Sequence, residues 1–285
     1  GSVALLFRMA LNTADNLRGS LINWARGFPG FGWIFPVLFT LLGAVISVLI
    51  TRRYAPEAAG SGIPHLEAVL QKFRELNWKR VLPVKFFGGI IAIGSGMALG
   101  REGPTVQMGG SIGDAVSKIL KTSEKERLTL ISSGAGAGLA AAFNAPLSGL
   151  IFVLEEVRRD FQPVIFGAAF IAAVIADIVA RFGSGQFPVF AIPSYATPPL
   201  EALPVFIVLG VLAGVFGVLF NKGLLRSVEF FSRIPARRLM YVNALVGAVI
   251  GLTGWFYPEL IGSGHGLAED VLRGNMALAI IPIFF

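Results

Sequence analysis

The chain has 285 residues, of which 54% are hydrophobic and only 14% charged, and its mean hydropathy is +0.72. A water-soluble domain of this size needs more polar surface, so the composition reads as a membrane protein. The formal charge of +7 raises nucleic acid as a partner, but the Lys and Arg residues sit in short links such as "QKFRELNWKR" (71–80), "KTSEKER" (121–127) and "RSVEFFSRIPARR" (226–238). A cytoplasmic bias of such links explains them better, and no nucleic acid is expected. Zero cysteines and two histidines exclude disulfides and cysteine ligands and leave little for a transition-metal site, so neither metal nor cofactor is expected.

Apolar stretches recur at 34–50, 82–99, 128–154, 164–180, 203–220, 239–256 and 275–285, several near the ~20 residues that span a bilayer. They predict seven or more helical segments. Thirty-five glycines and sixteen prolines predict that some of these helices are broken, as membrane bundles allow where protein or water satisfies the backbone.

After the first stretch comes "GSGIPHLEAVL" (60–70), with Ser61 as candidate N-cap, Pro64 in the first turn and Glu67 to Leu70 continuing a short helix. The second stretch runs into "GREGPTVQMGGSIGDAVSKIL" (100–120), where Pro104 again suits a first turn and a helix is predicted to about Leu120. Free N–H groups and the positive dipole end make such helix starts candidate anion sites. Glu102 stands at the second of them. An intramembrane carboxylate is a functional candidate, because it can fill the anion position when ionised and leave when protonated. The alternative is a simple pairing with Arg101, although adjacent helical residues do not face each other. The third stretch closes on "FVLEEVRRDF" (152–161). Glu155 and Glu156 there either take protons from water or are solvated charges balanced by Arg158 and Arg159, and the residues leave both readings open.

The chain also repeats itself. "GSGIPHLEAVL" (60–70) aligns with "GSGHGLAEDVL" (262–272) at an offset of 202, each copy following an apolar helix and a link with an aromatic, a Pro and a Glu. Two such halves suggest a transporter architecture with its site between them. The halves are read as 1–182 and 203–285, joined by a linker over 183–202. The second copy of the segment at Gly100 would fall near position 302, past Phe285, so both halves are expected to be truncated pieces of a longer protein.

The motifs "GSGIP", "GREGPTVQMGG" and "GLAAAFNAPLSGLIFVLEE", in this order, resemble the CLC chloride channels and chloride/proton antiporters over nearly the whole chain. The resemblance implies an all-α membrane protein, a helical bundle of two inverted repeats with broken and re-entrant helices. It further implies a multi-pass protein of the bacterial inner membrane and a homodimer with one anion pathway per subunit. Part of the subunit interface would be formed by "NAPLSGLIFVLEE" and 164–182. By resemblance Ser61, with Gly62, matches the anion-coordinating serine motif, and the N–H groups of Gly103 and Thr105 match the second helix start. Glu102 matches the gating and proton-transfer glutamate, and Glu156 the internal proton-transfer glutamate of antiporters, with Glu155 beside it towards water. Serine at 61 resembles chloride-preferring members, where fluoride exporters resemble "GMGIP" and nitrate-preferring members "GPGIP". His65 departs from the acidic or amide residue common after "GSGIP" and is read as a polar helix-flank residue.

The expected function is therefore chloride/proton exchange, with chloride and H+ as transported ligands and no enzymatic activity. A passive chloride channel on the same fold is the alternative, with Glu156 against it. An intramembrane serine protease using Ser61 and His65, one helical turn apart, is a remote third reading.

Overall fold

The computed structural model describes residues 1–185, 195 and 197–274, and among them every regular element is helical. In chain order these are α1 (Ser2–Ala25), α2 (Ile34–Tyr54), α3 (Ile63–Leu70), α4 (Trp78–Gly94), α5 (Glu102–Leu120) and α6 (Glu124–Phe143). There follow α7 (Pro146–Phe152), α8 (Pro163–Ser184), α9 (Leu203–Ser232), α10 (Ala236–Phe256) and α11 (His265–Leu272). Among the described residues, four segments are long and apolar enough to cross a membrane: Ile34–Tyr54, Pro163–Gly183, Leu200–Ser232 and Arg237–Phe256. The apolar run at 275–285 lies outside the described residues.

Two of the apolar runs are broken. The run at 82–99 leaves the helix after Gly94, turns at Gly96 with φ of 113°, and reaches Arg101 without regular structure. The run at 128–154 divides at Asn144, which ends α6 in the left-handed conformation (φ 52°). Ala145 then precedes Pro146, and a residue before proline is pushed out of the helical region. A single turn of π-helix, Val153–Val157, follows α7 and carries Glu155 and Glu156.

Contacts divide the chain into two units, Gly1–Ala191 with Asn243–Phe285, and Ile192–Val242. In the second, α9 is apolar around its circumference from Leu203 to Phe220, as a lipid-facing span is, and carries its charged residues in the turns that follow. In the first, α5 and α6 form the tightest pair. Gly109 and Gly113 of α5 meet Gly134 and Leu130 of α6 backbone to backbone, and Gly138 meets the Thr105 carbonyl, leaving no room for a Cβ at any of the glycines. Small residues four apart on both helices permit this approach. At one end of the pair the buried Asp114 accepts from Arg127 Nε at 2.6 Å and from Lys118 Nζ at 2.7 Å. The start of α6 is fixed by a capping box: Ser123 Oγ accepts from the Glu126 N–H, and Glu126 accepts from the Ser123 N–H at 2.8 Å. The Ser123 hydroxyl and N–H hold the Glu126 carboxyl below its ordinary range.

The short helix α3 is seated in the core. Leu66, Val69 and Leu70 are buried against Leu76, Val81, Val106, Ile131 and Ala135. The internal repeat is visible element by element at the offset of 202. Helix α2 corresponds to α10, the 3-10 turn Pro56–Ala58 to Pro258–Leu260, and α3 to α11. Gly62 and Gly264 cap α3 and α11 in the same left-handed conformation, with φ of 89° and 70°. The related helices α2 and α10 also touch, since a Cβ on Gly251 would lie 2.6 Å from the Val37 Cα.

Candidate functional site

Helix starts from three parts of the sequence converge on Glu102. The first belongs to α3. Its cap is Gly62 and not Ser61, because the positive φ that turns the chain into the helix falls on the glycine. Ser61 stands one residue earlier, and its Oγ accepts from the Ile63 N–H at 3.4 Å. Pro64 lies in the first turn, as the sequence predicts.

The second start is that of α5, at Glu102, with Pro104 in its first turn and its end at Leu120. A Cβ on Gly103 would lie 2.7 Å from the Ser61 carbonyl oxygen and 2.9 Å from the Ser61 Cβ. Gly103 therefore lets the two helix starts meet, and Ser61, Gly62, Glu102 and Gly103 form one cluster. Thr105 is buried in the same turn, with its hydroxyl donating to the Glu102 carbonyl at 2.7 Å and its N–H to the Arg101 carbonyl at 3.2 Å. Its donors are thus committed to the helix, so the first-turn amides ahead of it are the ones left without an intrahelical acceptor.

The third start, that of α11, comes from the second repeat copy. The Gly262 N–H donates to the Gly96 carbonyl at 2.9 Å, which ties this helix start to the loop leading into α5. From there the His265 Nε2 comes within 3.8 Å of Glu102 Oε1. The other carboxylate oxygen, Oε2, sits against Gly100 so closely that a side chain at that position would displace it. The Glu102 side chain is 28% exposed. No Glu102–Arg101 ion pair occurs among the described residues. Arg101 is buried with its Nε unpaired, in the electrostatic field of Arg8, Glu102 and Asp15.

Two polar side chains support the cluster from behind. Lys85 of α4 is buried, and its Nζ donates to the carbonyls of Ala58 and Gly60 at 2.8 and 2.6 Å. This places an ammonium beneath the turn that presents Ser61. Gln107 of α5 is fully buried against Gly62; its Nε2 donates to the Glu57 carbonyl at 3.0 Å and lies 3.2 Å from His65 Nδ1. His65 is thus engaged on the flank of α3 and shows no hydrogen bond to Ser61.

Glu155 and Glu156 are separate from this cluster and exposed. Glu156 faces Arg159 at 3.8 Å and lines a cleft of about 120 Å³ with Glu67, Gln71, Val157 and Arg158. Glu67 and Gln71 are at the far end of α3, so this helix of eight residues, about 12 Å long, runs from the Glu102 cluster to the Glu156 cleft.

Sequence reasoning did not single out Lys85, Gln107 or His265 as functional. For Lys85 the signal was available: one cation inside an otherwise apolar run. Gln107 lies within the motif that drew attention to Glu102. His265 was visible through the repeat, standing where the first copy has Ile63.

Convergent helix starts with unwound backbone between them and a carboxylate at one of them form, in a chain with membrane-length apolar helices, a cluster whose chemistry suits an anion. The sequence profile of the voltage gated chloride channel family matches residues 43–285, and the chain belongs to that family. It is 42% identical over 294 residues to the H(+)/Cl(-) exchange transporter ClcA of Vibrio parahaemolyticus, covering all of this chain and 62% of that protein. It is 44% identical to the ClcA of Vibrio cholerae over the same shares. Among solved structures, a slow cyanobacterial Cl-/H+ antiporter superposes with a TM-score of 0.94 at 33% identity, over all of this chain and 67% of that one. The chain thus spans about 62% of the length of the curated relatives it matches.

Proposed function

We propose that the protein exchanges chloride for protons across a bacterial inner membrane, as a homodimer. The carrying observation is the start of α5: Glu102 is its first residue, and the adjoining Gly103 lies against the Ser61 turn, where an anion would be bound. Chloride is held by the Ser61 hydroxyl with Gly62, and by the Gly103 amide at the start of α5; Thr105 lines the same turn with its own N–H bonded to the Arg101 carbonyl. When ionised, Glu102 competes for that position and closes the path; when protonated, it loses its attraction to the dipole end and carries its proton away. Glu156 relays protons between the opposite aqueous phase and Glu102, with Glu155 beside it at the water. The cleft at the far end of α3 supports this, since it gives Glu156 access to solvent about one short helix from the anion cluster. No cofactor enters the cycle, and the protein is a transporter and not an enzyme.

The dimer reading rests on the family resemblance and on α8, whose Ile171, Ile175, Ile178 and Phe182 are exposed at helical spacing. The halves are read as 1–182 and 203–285 with the linker at 183–202, of which 186–194, 196 and 275–285 lie outside the described residues.

Replacing Glu102 with Gln tests the assignment in proteoliposomes. The expected outcome is loss of proton movement with chloride flux retained. Coupled exchange that persists in Glu102→Gln removes Glu102 from the role.

A further inference from the structure

We propose that His265 is a positioning residue for Glu102: the helix start of the second repeat copy holds the gate carboxylate at the mouth of α5 and sets the pH at which it takes up its proton. The first observation is the 3.8 Å separation of His265 Nε2 and Glu102 Oε1, in side chains that are 23% and 28% exposed. The second is that the backbone fixes this separation. The Gly262 N–H bonds the Gly96 carbonyl, and the buried Ile261 packs on Gly254 and Gly96. The start of α11 is thereby docked on the loop that leads into Glu102. The third is the break in the repeat: the first residue of α3 is the apolar Ile63, and the first of α11 is an imidazole.

The remaining charged groups around the pair, among the described residues, come from α1 and from the residue before α5. Arg18 is engaged by Asp15 at 2.7 Å and by the carbonyls of Ile93 and Gly94, with Gly262 against its guanidinium. Arg8 and Arg101 act on His265 through their charges, and Asp15 acts on Arg101. An imidazole changes charge between about pH 5 and 8, and desolvation together with the Arg101 charge lowers the pKa of His265 from its ordinary value. His265 is thus the variable element of the field. As imidazolium it favours ionised Glu102 and opposes its protonation; as neutral imidazole it releases that restraint.

The proposal rests on the reading of Glu102 as the gate, and its test reads Glu102 directly. The intact protein in lipid is titrated while infrared difference spectra follow the carboxylic acid C=O stretch, assigned by its absence in Glu102→Gln. His265→Gln has no side-chain charge at any pH, and His265→Lys is charged throughout. The expected midpoint of Glu102 protonation is about 1 pH unit higher in His265→Gln than in His265→Lys. The unsubstituted protein follows the Lys variant at the acid end and the Gln variant at the alkaline end. If His265→Lys does not fold, His265→Gln against the unsubstituted protein at the acid end makes the same comparison. Coincident midpoints overturn the proposal. Flux recorded on the same vesicles separates the two ideas: separated midpoints without coupled flux remove the gate reading and keep the pairing, and coupled flux with coincident midpoints removes His265 alone.

Discussion

Glu102 shows why a carboxylate can be legible in an apolar sequence while its surroundings are not. Its cost inside a membrane marks it at once, and the glycines and proline around it mark the helix start that offsets that cost. Gly103 then follows, because only a residue without Cβ lets the Ser61 turn approach. The choice of Gly62 over Ser61 as the cap was not legible, since serine is the stronger capping residue and only the backbone angle decides. Lys85 and Gln107 were passed over because their roles depend on distant carbonyls, those of Ala58, Gly60 and Glu57, which no local pattern brings near. At this scale the second carboxylate is the one to test. Glu156→Gln is expected to keep chloride flux and lose proton coupling, measured as the ratio of chloride to proton movement in vesicles. Unchanged coupling would leave Glu156 as a solvated charge beside Arg159.

At the scale of elements, most helices followed from apolar runs and their starts, and α5 ends at Leu120 as its pattern predicts, whereas α1 (Ser2–Ala25), interrupted by polar residues, was not foreseen. The run at 128–154 was legible as apolar but not as two helices. Asn144 can continue a helix or leave it, and its left-handed conformation is tied to tertiary contact: the Arg181 guanidinium of α8 donates to its carbonyl at 3.0 Å. The α5–α6 pair carries two predictions. Gly134→Leu drives a side chain into the Gly109 backbone and is expected to lower stability by about 3 kcal/mol or more, at the upper end of overpacking changes. Thermal unfolding in detergent measures it, and an unchanged midpoint would contradict the backbone contact. Arg127→Ala leaves the buried Asp114 with Lys118 alone and is expected to lower stability by about 3 kcal/mol, as the loss of one partner of a buried charge does. A change within the error of the same unfolding measurement would place Asp114 in water.

For the whole molecule, the repeat was the most informative feature of the sequence, because one short alignment at an offset of 202 foretold the pairing of α2 with α10 and of α3 with α11. What it could not foretell is how the copies meet. The contact runs through Gly96, Gly262, His265 and Glu102, and it arises from tertiary packing of segments more than 150 positions apart. The arrangement brings both copies to one carboxylate, which under the proposed function is the physical basis for coupling one ion to another. The most direct measurement reconstitutes the intact protein in liposomes with a chloride gradient and records chloride efflux and internal pH together at clamped membrane potential. The account predicts protons driven uphill as chloride runs downhill. Chloride flow with no proton movement would contradict it and make the protein a passive chloride pathway.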